Sequence, residues 1–359
     1  MIRKTRVGVV FGGRSGEHAV SLASARAVID AIDVDRYDVV PIGITRSGSW
    51  LLGEGPALLE SREVSDETPE TAELVADITR RGLVPVDRHR SLDAHENAVD
   101  VVFPLLHGPY GEDGTVQGLL ELAAVPYVGA GVAASAVGMD KAFMKALFEH
   151  AGLPMTPYFV FNARDWERGA DQVIASTESK LRYPVFVKPC RLGSSVGIDK
   201  ARDTEELRTT VESALLHDSK IIVEQGVEGR EVECGVLGGD DPMVSVFGEI
   251  DCRHEFYDYE AKYSEGLSEL IIPANLTAAQ VRELTDIALK AWAAIDAYGM
   301  ARVDFFIEHE TERVILNEIN TIPGFTRTSM FPKVWEASGL SFGDLISRLI
   351  DLALERAGR

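Results

Sequence analysis

ARVDFFIEHETERVILNEIN, residues 301–320, holds two apolar segments, 301–307 and 314–319, separated by a short polar stretch. Segments of this length, rich in Val, Ile and Phe and joined by so few residues, are typical of a β-hairpin. We expect its turn to centre on Thr311. Hairpin-like spacing also occurs between residues 157 and 237, so the second part of the chain is predicted to be α+β.

Four polar residues interrupt this apolar hairpin. With the turn at Thr311, Asp304 lies opposite Glu318. Arg302 lies opposite Asn320, and the two-residue period of a strand puts all four side chains on one face. Two carboxylates and an amide oxygen suit Mg²⁺, and the arginine beside them suits an oxyanion or a phosphate. The alternative is a solvated polar face with a cross-strand ion pair, but acids among apolar neighbours are costly without a cation.

The first third of the chain has a different pattern of apolar residues. Apolar runs alternate with a helical period, which predicts an α/β domain with a mostly parallel sheet covered by helices. The runs cover residues 7–11, 37–44 and 99–106, and the helical period covers 20–28. Residues 46–97 are polar and weakly periodic, and we interpret them as an insertion of short elements. Further helices are expected over 134–150, 165–179, 204–217 and 276–298 and from Ser341 onward.

Composition restricts the class of protein. Among 359 residues, 57 are acidic and 36 are basic, which gives a formal net charge of −21. This balance argues against a general nucleic-acid or anionic-membrane binder, so a polyanionic ligand requires a local basic pocket. The 3 cysteines have no CxxC spacing, which fits a reducing cytosol and predicts a cytoplasmic protein. With no signal-peptide pattern and no apolar run of about 18 residues, no membrane span is expected.

A glycine- and serine-bearing loop follows the apolar strand in YPVFVKPCRLGSSVGI, residues 183–198. Small residues let backbone amides and the hydroxyls of Ser194 and Ser195 surround phosphate oxygens, while Lys188 on the strand supplies positive charge. The alternative is an ordinary hairpin loop. The lysine that ends an otherwise apolar strand favours phosphate binding.

Three other loops carry candidate substrate groups. Glu17 in FGGRSGEH stands where a helix begins, so its carboxylate can hold an ammonium group or can simply offset the helix dipole. His107 follows a strand and is either a polarising group or a structural histidine. Near Asn320, the amides by Gly324 and the hydroxyl of Ser329 could meet a carboxylate, although an ordinary loop that leads into a helix would look similar.

A long polar and aromatic stretch over residues 249–272 is typical of an active-site lid. Lys262 and Tyr263 lie at its centre and could close over a phosphorylated intermediate to exclude water. A surface loop with incidental aromatic residues is the alternative.

Taken together and in order, these motifs resemble the D-alanine:D-alanine ligases of the ATP-grasp superfamily over essentially the whole chain. The matching stretches are FGGRSGEHAVS, LLHGPYGEDGTVQGLLE, VPYVGAG, SAVGMDK, VFVKPCRLGSSVG, VEQGVEGREVECGVL, FYDYEAKY, ARVDFF and NEINTIPGFTRTSM. The resemblance implies a three-domain architecture. Its parts are an N-terminal pre-ATP-grasp domain (1–135), a central lobe (136–228) and a C-terminal lobe (229–359).

The resemblance also implies the parts of an ATP site. Lys141, Lys188 and the lid residue Lys262 would contact the phosphates, and Ser194 and Ser195 would cover them. Glu224 would mark the adenine hinge and Glu231 would bind the ribose. Two Mg²⁺ ions, for which Mn²⁺ can substitute, would be held by Asp304, Glu318 and Asn320.

The implied reaction joins two D-alanine molecules through an acyl phosphate, giving the dipeptide of the peptidoglycan precursor. Glu17 would bind the first ammonium group with His107 nearby, and Arg302 and the amide near Gly324 would stabilise the oxyanion. The second substrate would contact Ser329 and Met330, while AKY around Tyr263 resembles the dipeptide-forming type. A homodimer is implied as well. The alternatives are a D-alanine:D-lactate or related ligase on the same scaffold, and a nucleotide-binding protein without turnover.

Overall fold

The protein contains three β-sheets, which follow one another along the chain. The structure is a computed structural model, and it describes residues 3–52, 71–74, 83–85, 99–252 and 268–358. The first sheet has six strands, the second has four and the third has five. The expected mixture of an α/β part followed by α+β parts is therefore confirmed.

The N-terminal sheet is parallel at its centre. Strand β1 pairs in parallel with β2 on one side and with β6 on the other, as the βαβ rhythm predicts. Three short strands, β3 to β5, extend the sheet from β2 with antiparallel pairing. The strands are β1 Thr5–Gly12, β2 Tyr37–Ile44, β3 Trp50–Leu52, β4 Thr71–Leu74, β5 Leu83–Pro85 and β6 Val101–Pro104. Helix α1 (His18–Ala31) follows β1, and α2 (Thr115–Leu122) follows β6.

The last helix of the chain packs against this first sheet. Helix α9 (Phe342–Arg356) is capped by Ser341, whose Oγ accepts a hydrogen bond from the backbone N of Asp344 at 3.2 Å. Its buried face shares one apolar core with α1 and with Val7, Val9 and Phe11 of β1. The burial of that face ties the end of the chain to its beginning.

The central sheet is antiparallel, in the order β7-β10-β8-β9. One face of its strands packs against two helices, because the two-residue strand period puts Val185 and Val187 of β8, and Ile221 and Val223 of β10, in one apolar core. The strands are β7 Tyr158–Asn162, β8 Val185–Pro189, β9 Asp199–Ala201 and β10 Lys220–Gln225. The helices are α5 Ala163–Lys180 and α6 Thr204–Ala214.

The C-terminal sheet contains the predicted hairpin and has the order β13-β12-β11-β14-β15. Arg302 lies opposite Asn320 and Asp304 opposite Glu318, so the predicted pairing is confirmed at both polar positions. From Phe305 toward the turn the register is shifted by one residue, with Leu316 as the partner of Phe305. The strands are β11 Gly229–Gly238, β12 Met243–Cys252, β13 Ser268–Ile271, β14 Gly299–Glu308 and β15 Val314–Asn320, and the helices are α7 Ala278–Ala294 and α8 Met330–Ala337.

The helix expected over 134–150 is two helices, α3 (Val132–Met139) and α4 (Lys141–His150). The break occurs at Asp140, whose extended backbone and carboxylate cap α4 by accepting hydrogen bonds from Ala142 N and Phe143 N. The prediction of one helix was wrong here because it did not treat this aspartate as an N-cap. Within the described ranges, no helix is both long enough and apolar enough to cross a membrane.

Candidate active site

A cavity of about 520 Å³ lies between the central and C-terminal sheets. Cavities of this size are typical of small-molecule sites. Most residues that the sequence singled out for a nucleotide and its metal line it, although the predicted metal ligand Asn320 does not; the lining ones are Lys141, Lys188, Ser194, Ser195, Glu224, Glu231, Asp304 and Glu318. Residues from five separate motifs of the sequence are thus brought to one site.

The cavity has two chemically different regions. Phe186, which is paired across the sheet with Glu224, lines it together with Ile198 and Phe306 and gives it apolar walls. Elsewhere Lys141 lies 3.7 Å from Glu318 Oε2 and donates to the carbonyl of Leu192 at 2.9 Å. A ligand with a flat apolar ring and a polyanionic tail, such as a nucleotide, fits this division.

Two lysines hold the buried carboxylate of Glu224. Lys188 Nζ donates to Glu224 Oε2 at 3.1 Å, and Lys145 Nζ lies 3.5 Å from the same oxygen. Burial acts to raise the pKa of Glu224, but the charges of Lys145 and Lys188 outweigh it and lower that pKa, so the carboxylate stays ionised. Burial lowers the pKa of Lys145. For Lys188, burial acts in the same direction, but the charges of Glu224 and Glu318 outweigh it and raise the pKa.

The serine loop connects the cavity to the N-terminal domain. Ser194 and Ser195 have positive φ angles of 48° and 59°, a region that costs energy for residues other than glycine and is found at functional loops. Ser194 Oγ donates a hydrogen bond to Glu17 Oε1. Glycine at positions 108 and 193 leaves room for the Glu17 carboxylate. A Cβ atom on Gly108 would lie 2.5 Å from Glu17 Oε2, and a Cβ atom on Gly193 would lie 3.3 Å from it.

Arg302 is held by carboxylates from two strands. Its Nε and one terminal nitrogen donate to the two carboxylate oxygens of Asp304, both at 2.7 Å, and Nε also lies 3.0 Å from Glu233 Oε2. Burial acts to lower the pKa of Arg302, but the charges of Asp304 and Glu233 outweigh it and raise the pKa well above its ordinary value. The guanidinium is therefore a fixed, permanently charged group beside the cavity.

The donor set of the hairpin fits a hard cation. Asp304 and Glu318 face each other across the strands, and Asn320 Oδ1 accepts one hydrogen bond, from Ile322 N at 3.0 Å, which leaves it a second lone pair. Among the described residues, no group of three or more His, Cys, Asp or Glu side chains is arranged to hold a metal ion. An incomplete set of protein oxygens suits Mg²⁺, which usually keeps water and substrate phosphate as its other ligands.

His107 uses both ring nitrogens within the protein. Nδ1 faces the carbonyl oxygen of Ile322 at 3.2 Å and must donate to it, so Nε2, 3.0 Å from Ser24 Oγ, accepts. Burial lowers the pKa of His107, although the negative charge of Glu17 acts to raise it. The imidazole is therefore uncharged at neutral pH. This side chain joins helix α1 to the loop after β15. Its contact with a substrate stays a prediction.

The loop that leads into α8 is anchored by Ser329. Its Oγ accepts a hydrogen bond from Thr326 N at 3.2 Å, and a Cβ on Gly324 would lie 3.1 Å from it. Met330 is buried and packs with Ile250. These positions bring the loop close to the C-terminal sheet, and the contacts of Ser329 and Met330 with a second substrate stay predictions.

Two of the predicted residues, Lys262 and Tyr263, lie outside the described residues. The structure adds two charged residues that the sequence reasoning missed, Lys145 and Glu233. Each had a simple signal. Lys145 follows Lys141 by one helical turn, and Glu233 follows Glu231 by one strand period, so each shares a face with a residue already singled out.

Cys190 lies beside the serine loop but has no exposed surface. Burial, followed by the charge of Asp140, raises the pKa of its thiol to about 12, so it is not the reactive thiolate at neutral pH. We expect Cys190 to resist iodoacetamide in the native protein and to be alkylated after unfolding in guanidinium, as peptide mass spectrometry would show. Rapid native labelling of Cys190 would contradict its burial.

Two family models match most of the chain. One family model, described as "D-ala D-ala ligase N-terminus", matches residues 6–130, and a second, "D-ala D-ala ligase C-terminus", matches residues 147–351. The chain belongs to the D-alanine–D-alanine ligase family. Its fold class, the ATP-grasp architecture, follows from this membership and from the solved relatives.

Relatives of this family match the chain over nearly its full length. The D-alanine–D-alanine ligase of Geobacillus thermodenitrificans is 49% identical, with 98% of this chain and 96% of that protein covered, and that of Bacillus licheniformis is 49% identical with 98% and 97% covered. Among solved structures, the VanG D-Ala:D-Ser ligase of Enterococcus faecalis has a TM-score of 0.86 at 37% identity, covering 98% of this chain and all of that one. The ligase of Coxiella burnetii has a TM-score of 0.83 at 33% identity, covering 99% and 95%.

Proposed function

We propose that this chain ligates two D-alanine molecules to D-alanyl-D-alanine at the expense of ATP, and so supplies the dipeptide of the peptidoglycan precursor. Support comes from the full-length similarity to D-alanine–D-alanine ligases. The observation that carries the proposal is the contact between Ser194 and Glu17. It joins the loop of the nucleotide cavity to the carboxylate that we assign to the first ammonium group, so phosphate donor and amino acid meet at one point.

In the first step, a carboxylate oxygen of the first D-alanine attacks the γ-phosphorus of ATP. The bond from that phosphorus to the β–γ bridging oxygen breaks, and ADP leaves with the electron pair, which yields an acyl phosphate. An anionic nucleophile and a polyphosphate repel each other, so cationic groups must offset the developing charge. We assign this work to Lys141 and Lys188, and to Lys262 of the stretch predicted to be a lid.

In the second step, the amine of the second D-alanine attacks the acyl carbon. The tetrahedral oxyanion then collapses, the bond from carbon to the phosphoryl oxygen breaks, and inorganic phosphate leaves with the proton that the attacking nitrogen gives up. Arg302 and the amide near Gly324 are assigned to the oxyanion, because a fixed donor aimed at developing charge lowers the barrier. Glu17 holds the first ammonium group, with His107 nearby, and Ser329 and Met330 line the second site.

Two further groups complete the nucleotide site. Asp304, Glu318 and Asn320 are the residues that would hold two Mg²⁺ ions, with Mn²⁺ as a substitute, and bound Mg²⁺ supplies positive charge to the phosphates. Glu224 and Glu231 are assigned to the adenine and the ribose. Because the reaction consumes ATP, we place the enzyme in the cytoplasm, and we propose a homodimer as its working form.

The product mixture tests this function. The protein is incubated with MgATP and D-alanine, alone or with D-lactate or D-serine, and products are identified by mass spectrometry. We expect D-alanyl-D-alanine and equimolar ADP and phosphate with D-alanine alone, and the dipeptide as the main product in the mixtures. The incubation with D-serine is included because VanG, a D-Ala:D-Ser ligase, has a similar structure. A predominant depsipeptide or D-alanyl-D-serine would contradict the assignment, as would ATP binding without phosphate release.

A further inference from the structure

Lys145 is a fully buried lysine that the proposed reaction does not use. It lies on α4, one turn after Lys141, while Met144 and Phe148 on the same helix enter the apolar core of the C-terminal sheet. Its side chain has no exposed surface, and its Nζ makes no hydrogen bond within the described residues. Burying a lysine without full hydrogen bonding costs free energy, so the charge of Lys145 needs a compensating partner.

Its electrostatic partner is Glu224. Both Lys145 and Lys188 approach the same carboxylate oxygen, Oε2, at 3.5 and 3.1 Å. In the described part of the chain no hydrogen bond involves the other oxygen, Oε1, and Glu224 lines the cavity next to Phe186. The two lysines therefore fix the carboxylate and leave one acceptor available to a ligand.

A second polar group in the same cavity also lacks a partner. Thr156 is 6% exposed, lines the cavity, and its hydroxyl makes no hydrogen bond among the described residues. Buried hydroxyls are normally hydrogen-bonded, so this one is expected to meet a ligand. Glu224 Oε1 and the Thr156 hydroxyl are thus two polar groups of the cavity lining that are available to a ligand.

We propose that Lys145 is a positioning residue that fixes Glu224 as a hydrogen-bond acceptor, so that the cavity selects a purine with an amine at position 6 over one with a carbonyl. The inference rests on the proposed use of a nucleotide by this cavity. An ionised carboxylate only accepts hydrogen bonds, so it binds the 6-amine of adenine and repels the 6-carbonyl of hypoxanthine or guanine.

Loss of Lys145 has opposite effects on the two bases. With one of its two cations gone, Glu224 is less firmly oriented and burial favours its protonated form. A protonated carboxyl group carries an O–H that can donate to a 6-carbonyl. Binding of ATP is therefore weakened while binding of ITP is weakened less or improved.

The test compares ATP with ITP, which has a carbonyl at position 6. Binding of each Mg²⁺-nucleotide is measured by calorimetry without D-alanine, and turnover is measured with D-alanine. In Lys145→Met we expect the ATP/ITP preference to fall about tenfold in binding and in kcat/KM, since a hydrogen bond to a charged group is worth about that much. KM for ATP should rise, with kcat at saturating ATP changed much less.

Lys220→Met is the matched control. It removes another largely buried lysine that pairs with a carboxylate, Asp140, at 2.8 Å and so supports the start of the same helix. We expect it to lower thermal stability and to leave the ATP/ITP preference unchanged. An equal fall of the preference in both lysine variants, or no fall in Lys145→Met, overturns the proposal.

A second variant covers the case in which Lys145→Met does not fold. Lys145→Met combined with Glu224→Gln removes the charged pair together, and its ATP/ITP preference should match that of Glu224→Gln alone, because Lys145 acts through Glu224. A further loss of preference in the double variant contradicts this. Absence of dipeptide with intact ATP binding refutes the proposed function alone, since the binding preference still decides the role of Lys145.

Discussion

Glu318→Gln is expected to lower kcat by about 100- to 1000-fold and to raise the Mg²⁺ concentration needed for half-maximal rate. The substitution keeps the shape of the side chain but removes one of the two carboxylates that face each other on the hairpin. Asp304, the remaining carboxylate, already accepts two hydrogen bonds from Arg302. The site thus loses much of the negative charge that attracts a divalent cation. Initial rates over a series of Mg²⁺ concentrations at saturating ATP measure both effects.

Glu308→Gln is the control for this prediction. Glu308 lies on the same hairpin and pairs with Arg313 at 3.6 Å, but it does not line the cavity. We expect its kcat and Mg²⁺ dependence to stay within about twofold of the unmodified protein, as surface pairs contribute little. If Glu318→Gln behaves like Glu308→Gln, the metal role of the hairpin is wrong.

Arg302→Lys should lower kcat by about 100-fold while the protein remains folded. Lysine retains the positive charge that Asp304 and Glu233 require, so neither carboxylate is left buried and unpaired. It loses the planar pair of donors that now binds Asp304 at 2.7 Å. The oxyanion donor is then no longer fixed in position. Steady-state kinetics, with thermal unfolding measured in parallel, separate lost turnover from lost stability.

Arg356→Lys provides the comparison for Arg302. The Arg356 guanidinium also makes two hydrogen bonds, to the carbonyls of Gly129 at 3.0 Å and Tyr127 at 2.9 Å. Neither of these partners lines the cavity, whereas both carboxylate partners of Arg302 do. We expect a loss of thermal stability with kcat reduced less than threefold. Turnover in Arg302→Lys that is no lower than in Arg356→Lys would refute the oxyanion role.

The polar face of the hairpin could be predicted because the strand period alone decides which side chains share a face. The pairing of Asp304 with Glu318 follows from the turn position and is confirmed. The register shift at Phe305 could not be predicted, since a bulge adds a residue to one strand without changing the apolar pattern. The break at Asp140 was missed although aspartate is a strong N-cap residue.

Contacts between distant segments were beyond the sequence. The apolar face of α9 predicts burial but does not indicate that the partner is the N-terminal sheet. In the same way, the sequence does not indicate that Lys145 of helix α4 pairs with Glu224, which lies on β10 of the central sheet. The contact of Ser194 with Glu17 also joins two motifs that sequence reasoning treated separately.

In the proposed reaction, ATP phosphorylates a D-alanine carboxylate before the peptide bond forms. The most direct test uses D-alanine labelled with ¹⁸O in both carboxylate oxygens, followed by mass spectrometry of the phosphate and the dipeptide. We predict that one ¹⁸O per turnover appears in inorganic phosphate and that ADP is the nucleotide product, because the oxygen that attacks phosphorus leaves with it. Unlabelled phosphate, or release of AMP and pyrophosphate, would contradict an acyl-phosphate intermediate.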